Sequence, residues 1–302
     1  MTVSIIYIEI NFKEIFFRNS AGEVLRYPVI DANSSNNINT VNSDSLFNVC
    51  NLGINKFSKK INLPFVLIIG YSCLVKDETI ELLTNFMKVF KTFNKINHIY
   101  LLNKNIGSFY DVTINDKLDI INKDFCNNEI LIVNVNYNSI EAIMFDDGTE
   151  NILIQKTSTI GINDIFFETV LKNENSLLAL ELFGMSNKEL SFIINNWCIE
   201  FSNNTVDLKE YKKSFKINIS KYVSKFILEN YKRISDDMFF IITGNIFQVM
   251  NIDQFYILDS TYSKRIYYNE KSKSSNFEGF SKIVRRIECE KKFINPLISQ
   301  SV

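Results

Sequence analysis

Histidine, proline and glycine are scarce in this sequence, with one His, three Pro and nine Gly among 302 residues. The single imidazole, His98, cannot complete a zinc site of the usual His-rich kind. It lies inside a strand-like run without an evident partner, so a structural histidine is expected there, not a catalytic one. The five cysteines (Cys50, Cys73, Cys126, Cys198 and Cys289) are scattered and form no CxxC pair, which excludes a zinc ribbon or a redox dithiol motif. Buried, inert thiols in a reducing cytoplasm are the expectation. No apolar run approaches the ~18 residues of a membrane-spanning helix. Nor is there a basic segment followed by an apolar run and a small-residue cleavage site, so no secretion signal is expected. A formal net charge of −1 supplies no global attraction to nucleic acid or to an anionic membrane. Neither direct nucleic-acid binding nor a membrane span is expected.

What is present is a folded chain. Hydrophobic residues make up 46% and charged residues 22%, with 26 Phe and 13 Tyr, a balance that supports packed cores and excludes disorder. The length accommodates two domains. The most informative stretch is 130–165. Ile130–Val135 and Ser139–Phe145 are strand-like apolar runs, and Asp146-Asp147-Gly148 is a hairpin turn signal. Asn151–Thr157 is a third strand, and Ile160-Gly161-Ile162-Asn163-Asp164 turns into a helix with Asn163 or Asp164 as its cap.

Elsewhere, Val3–Ile10 has the two-sided apolar character of a central strand. It is followed by strands Glu14–Arg18 and Val24–Ile30, then a polar stretch from Asp31 to Asn62 with a loop at Asn33–Asn37. Leu63–Gly70, the helical spacing over Lys76–Phe93, and Asn97–Leu102 make a strand–helix–strand unit with a right-handed crossover. Asn187–Trp197 and Ser220–Tyr231 are predicted helices, and Lys209–Lys221 is a charge-rich stretch assigned to a solvated face or a subdomain edge. Met238–Gly244 is a strand ending in glycine, and Asn276-Phe277-Glu278-Gly279-Phe280-Ser281-Lys282-Ile283 is a compact motif near the end.

These landmarks, in this order, resemble the actin-type ATPases, above all the plasmid-partitioning filament proteins of the ParM/StbA kind. Ser158–Asp164 matches the family's Gly-Ile/Val-x-Asp turn, and Asn276–Ile283 matches its Asn-Ala-x-Gly-Phe/Tyr-x-Lys-Ile ending. The chemical motifs depart from the pattern. The family's first hairpin begins Asp-x-Gly; here Glu9 or Asn11 stands in its place and the glycine is missing. Asn134-Val135-Asn136-Tyr137 replaces an Asp and paired glycines. Lys104, or Asn103 in a register slipped by one, falls where an acidic or amide residue positions the attacking water. Gly244 survives from a glycine run but is followed by Asn245.

The resemblance implies an actin-like (ribonuclease H-like, duplicated) α/β fold of two domains, each a mixed sheet flanked by helices, with a cleft between them. Domain I would comprise 1–126 with 270–302 returning to it. Domain II would be 127–269 with a small helical insert at about 172–235. Glu9, Asn11, Lys104, Asn134, Asn136, Gly161, Gly244 and Asn245 would be the degenerate nucleotide-cleft positions. Neither catalytic residues nor a metal site are expected, and a bound ATP–Mg²⁺ cofactor is not favoured: a pseudo-ATPase. The expected role is a filament subunit or scaffold that associates with itself or with another actin-like subunit, in plasmid or DNA segregation. Alternatives are an active nucleotide-dependent partitioning filament, and a peptide-binding adaptor of a pilus-type assembly machine with a protein partner.

Overall fold

The computed structural model describes residues 4–11, 14–28, 38, 41–61, 64–92, 95–146, 151–172, 182, 185, 187–201, 204–231, 238–250, 265–269 and 275–290. The chain divides into two compact units: 1–127 with 147–151 and 274–302, and 128–146 with 152–273.

In the first unit, β1 (Ser4–Ile10), β2 (Glu14–Asn19), β3 (Val24–Pro28), β4 (Phe65–Tyr71) and β5 (Ile96–Asn103) form one sheet in the order β3-β2-β1-β4-β5. Strands β1 to β3 are antiparallel, while β4 and β5 run parallel to β1. Ile5, Ile6, Tyr7, Ile8 and Ile10 are all buried, as a strand covered on both faces requires. Edge strand β5 carries His98 exposed beside Tyr100.

The polar stretch from Asp31 to Asn62 contains a helix that its composition conceals, α1 (Ser43–Ser58). Asn42 caps it by accepting the Ser45 N–H at 2.7 Å. Its buried residues, Leu46, Cys50, Gly53, Ile54 and Phe57, recur at helical spacing and pack into the sheet's core. Helix α2 (Asp77–Phe90) buries Leu83, Phe86, Met87 and Phe90 on the same core, and Phe47 of α1 stacks on Phe90 at 5.4 Å. Helix α3 (Asn105–Thr113) follows β5, and α8 (Ser275–Glu290) lies against it. Lys282 pairs with Asp111 at 2.7 Å and Arg286 donates to the Leu118 carbonyl at 2.6 Å.

The second unit repeats the plan. Its strands are β6 (Ile130–Val135), β7 (Ile140–Asp146), β8 (Asn151–Ser158), β11 (Phe239–Thr243) and β12 (Ile266–Tyr268), in the order β12-β11-β6-β7-β8. Strands β6 and β7 are antiparallel, and β11 and β12 run parallel to β6. Both sheets thus place three sequential strands on one side of the centre and two parallel strands on the other, a repetition of topology without an evident repeat of sequence. The three runs of 130–157 are adjacent strands of one mixed sheet, as their pattern predicts. The Asp147-Gly148 turn lies outside the described residues.

Helix α4 (Ile162–Lys172) follows β8. Then come α5 (Asn187–Asn196), a hairpin of β9 (Cys198–Phe201) with β10 (Asn204–Asp207), and α6 (Tyr211–Asn230). Phe166, Trp197 and Phe215 meet edge to face at 5.6–5.8 Å within this core. The charge-rich Lys209–Lys221 stretch is not a separate edge: it runs into α6, whose Tyr211, Phe215, Ile219, Val223 and Ile227 form a buried stripe. Among the described residues no helix is long and apolar enough to cross a membrane, and no cluster of His, Cys, Asp or Glu is arranged to hold a metal ion.

Candidate functional site

Two groups of the predicted residues assemble, one in each unit. In the first unit the period-two alternation of β1 puts Tyr7, Glu9 and Asn11 on one face. Lys104, between β5 and α3, extends its ammonium into that row. Its Nζ lies 2.6 Å from Asn11 Oδ1 and 3.6 Å from Glu9 Oε1, and the residue is only 2% exposed. The structure therefore uses both Glu9 and Asn11, which the sequence offered as alternatives. Of Lys104 and Asn103, it is Lys104 that reaches them. Asn103 instead accepts the Asn105 N–H at 3.0 Å and donates to the Cys73 sulfur at 3.3 Å.

The other Glu9 oxygen is held from two sides. The Tyr7 hydroxyl donates to Oε2 at 3.0 Å, and Asn276 Nδ2 reaches it at 3.5 Å. Asn276, at the start of α8, accepts from the Ser108 hydroxyl at 2.6 Å. Tyr7 has its position because Gly70, its neighbour on β4, has no side chain: a Cβ there would meet the Tyr7 hydroxyl at 2.6 Å. Tyr7, Ser108 and Asn276 belong to this centre; Asn276 opens the motif that the sequence singled out near its end, but nothing in the sequence ties it, or Tyr7 and Ser108, to Glu9. They converge through tertiary packing.

Chemically this is a closed centre. The carboxylate has an internal cation and a hydroxyl donor, and the cation has a carboxylate and an amide oxygen, so an ion pair with a buried ammonium and a half-buried carboxylate has the added hydrogen bonds it needs. A divalent cation bound at Glu9 would have to lie against the Lys104 ammonium.

In the second unit, Asn134, the penultimate residue of β6, lies opposite Glu141 of β7 and Thr243 of β11. Gly244 follows with φ of +105°, and a Cβ there would stand 2.5 Å from Asn134 Oδ1 and from the Val135 carbonyl. Asn245 then opens the short helix α7 (Ile246–Val249) without a side-chain cap bond. Asn136 and Gly161 come together at the start of α4. The Ile162 N–H donates to the Asn136 carbonyl at 3.0 Å and the Asn163 N–H to the Tyr137 carbonyl at 2.9 Å. The helix begins at Ile162, before both residues the sequence offered as its cap, and Asp164 instead reaches back from the first turn to accept the Gly161 N–H at 2.8 Å. The first N–H groups of this helix, which elsewhere make an anion site, are answered by the chain itself.

Tyr137 occupies a position where the resemblance implies a glycine. Its hydroxyl accepts from Ser191 of α5 at 2.7 Å and donates to Gln248 of α7 at 3.2 Å. The loop is thereby an anchor between helices. Glu141, absent from the sequence-based candidates, is 1% exposed and accepts from the Ser139 hydroxyl at 3.4 Å. A lone carboxylate in the otherwise apolar run Ile140–Phe145 was the signal for it.

No family model matches the sequence, and no curated protein matches it. Among solved structures, MreB5 of Spiroplasma citri bound to ADP is 11% identical, with 96% of this chain and 99% of that one covered at a TM-score of 0.63. Apo ParM of psk41 is 10% identical over 97% and 100% of the two chains, also at 0.63. A non-polymerising MamK mutant bound to AMPPNP is 10% identical over 95% and 99%, at 0.58. Identities this low speak for architecture and not for activity, and with the duplicated sheet plan they lead to one conclusion: this chain has the actin-like fold.

Proposed function

We propose that this protein is a catalytically degenerate actin-like subunit, a cytoplasmic filament or scaffold component in the manner of the ParM-type proteins, with plasmid or DNA segregation as its setting. The observation that carries the reading is the Lys104 ammonium on Glu9 and Asn11. Metal-assisted phosphoryl transfer needs carboxylates free to orient a hydrated divalent cation and a residue to position the nucleophile. Glu9 is neutralised by Lys104, Asn134 brings no charge, and the α4 amides and the 136–139 loop are bonded to each other. The residues present do not fit a magnesium nucleotide.

Self-association supplies the remaining function. Strand β8 is the edge of its sheet and leaves Ile152, Leu153 and Ile154 exposed, apolar surface on an edge that an isolated protein ordinarily protects. A heterologous contact between copies, repeated without closure, makes a filament. MamK, whose similar structure is a non-polymerising mutant, supports the reading by analogy.

One observation favours a second reading, an active nucleotide-driven filament: Glu141 is a buried carboxylate beside Asn134. Electron microscopy of the purified chain with and without ATP and Mg²⁺, alongside phosphate release and a calorimetric ATP titration, separates the two. Filaments that form without nucleotide, and no turnover at saturating ATP, are expected for wild type. Turnover abolished by Glu141→Gln would establish the active reading instead. Monomer at every concentration and nucleotide condition would end the filament proposal.

A further inference from the structure

Helix α6 buries one stripe in the second unit's core and turns a second, cationic stripe outward. A groove of about 670 Å³ runs along that outer stripe, and its described lining residues include Lys213, Lys216, Ile217, Lys221, Lys225 and Leu228. Within Tyr211–Asn230 five lysines face a single carboxylate, Glu229, on a chain whose overall charge is only −1. Lys225 lies 3.7 Å from Glu229, while among the described residues Lys213 and Lys221 have no carboxylate partner. Burial, with Lys212 as a second cause, pushes the Lys216 ammonium below the usual lysine range. Between the lysines, Ile217 is 44% and Leu228 55% exposed, three helical turns apart. Ser220, also lining the groove, is 8% exposed, and its hydroxyl has no hydrogen-bond partner among the described residues.

We propose that this face of α6 is a docking groove for an acidic amphipathic segment of a partner protein, whose carboxylates meet Lys213 and Lys221 and whose aliphatic side chains cover Ile217 and Leu228. The complement is chosen by chemistry. A nucleic-acid backbone would answer the lysines but leave both aliphatic side chains in water. An anionic bilayer favours a helix that presents bulky apolar residues outward, whereas Tyr211, Phe215 and Phe226 of α6 all face the core. A groove flanked by cations with aliphatic side chains between them instead suits a polypeptide helix read at i, i+3, i+4 and i+7 spacing, and the lysines supply steering and register. The inference holds whether or not the chain polymerises or binds nucleotide.

The test is to pan the full-length chain against a display library of 16-residue peptides and to measure recovered peptides by fluorescence anisotropy. Expected are sequences rich in Asp and Glu with aliphatic residues at helical spacing, whose affinity falls with added salt. The Lys213→Glu/Lys221→Glu variant, and separately Leu228→Ser, should each weaken binding about tenfold with unchanged thermal midpoints, since all three side chains lie on the outer face. Neutral or basic consensus peptides, or affinity indifferent to these variants, would overturn the proposal. So would phosphatidylglycerol vesicles or duplex DNA that bind wild type and release Lys213→Glu/Lys221→Glu. A dimer in sedimentation that the same variant dissociates would give the face to a second copy.

Discussion

A Cβ on Gly279 would lie 1.7 Å from the carbonyl oxygen of Gly107, and one on Gly107 would lie 2.3 Å from the carbonyl oxygen of Asn276. Helices α3 and α8 therefore touch backbone to backbone, a contact only two glycines allow. The crossing also sets Asn276 against Ser108 and Glu9, so the polar centre of the first unit depends on it.

Gly279→Ala is expected to be among the most damaging single substitutions in the chain. Backbone atoms cannot move aside as a flexible side chain does, and overpacking of a rigid contact costs about 3 kcal/mol or more. Urea denaturation reads the loss. Gly22→Ala serves as the comparison, since a Cβ at Gly22 meets nothing within 4 Å.

Lys104→Met should cost about 3 kcal/mol, because it leaves the Glu9 carboxylate without its cation. Glu9→Gln on the same background should recover most of that, since the amide needs no counter-charge. The double-mutant cycle measures the coupling. A single-variant cost under about 1 kcal/mol would mean that water answers Glu9 as well as lysine does.

Much of this architecture is written in local pattern. The apolar runs of β1, β4 and β6, and the Gly161 turn into α4, declare themselves because central strands and capped helix starts have short-range signatures. The polar centre does not, although part of it was within reach: period two alone puts Glu9 and Asn11 on one face. Helix α1 hid in Asn- and Ser-rich composition while Leu46, Cys50, Ile54 and Phe57 kept helical spacing. In α6 the charge of Lys209–Lys221 obscured the Tyr211, Phe215 and Ile219 stripe beneath it. Tyr137 was illegible for a different reason. Its hydroxyl partners lie 54 and 111 residues away, and no local rule reports a contact made by packing.

Cys50 gives a prediction in pH. Burial pushes its thiol from 9.0 up to about 12, so the folded state keeps the proton where the unfolded chain loses it. The stability this provides is present in full below about pH 9 and drains away between pH 9 and about 12. Tyr71 and Tyr268 are also shifted upward by burial and add losses of the same sign. The Cys50→Ala comparison isolates the thiol: the variant starts less stable, yet its urea midpoint should fall less steeply over that range. Under native alkylation at pH 8, Cys198, half-buried, should react before Cys50 and Cys73, which are buried.

Gly244 and Gly22 offer a way to divide backbone strain from packing. Both hold left-handed φ values, +105° and +84°, so a Cβ at either is disfavoured by about 1–2 kcal/mol on conformational grounds alone. At Gly22 that is the whole cost, because the added methyl enters open space. At Gly244 the methyl would also press on Asn134 Oδ1 and on the Val135 backbone nitrogen and carbonyl, at 2.5–2.7 Å. Asn134 can rotate; the Val135 backbone cannot, because it is fixed in the β6–β7 ladder opposite Ile140. Gly244→Ala should therefore cost about 2 kcal/mol more than Gly22→Ala and unfold the second unit first. Asn134→Ala added to Gly244→Ala separates the two contacts. Recovery of less than about half the excess would assign the clash to the Val135 backbone, as the geometry requires, whereas full recovery would place it on the Asn134 side chain. The readout is urea denaturation followed by the fluorescence of Trp197, the only tryptophan, which lies in the second unit's core, and by far-ultraviolet circular dichroism for Gly22 in the first.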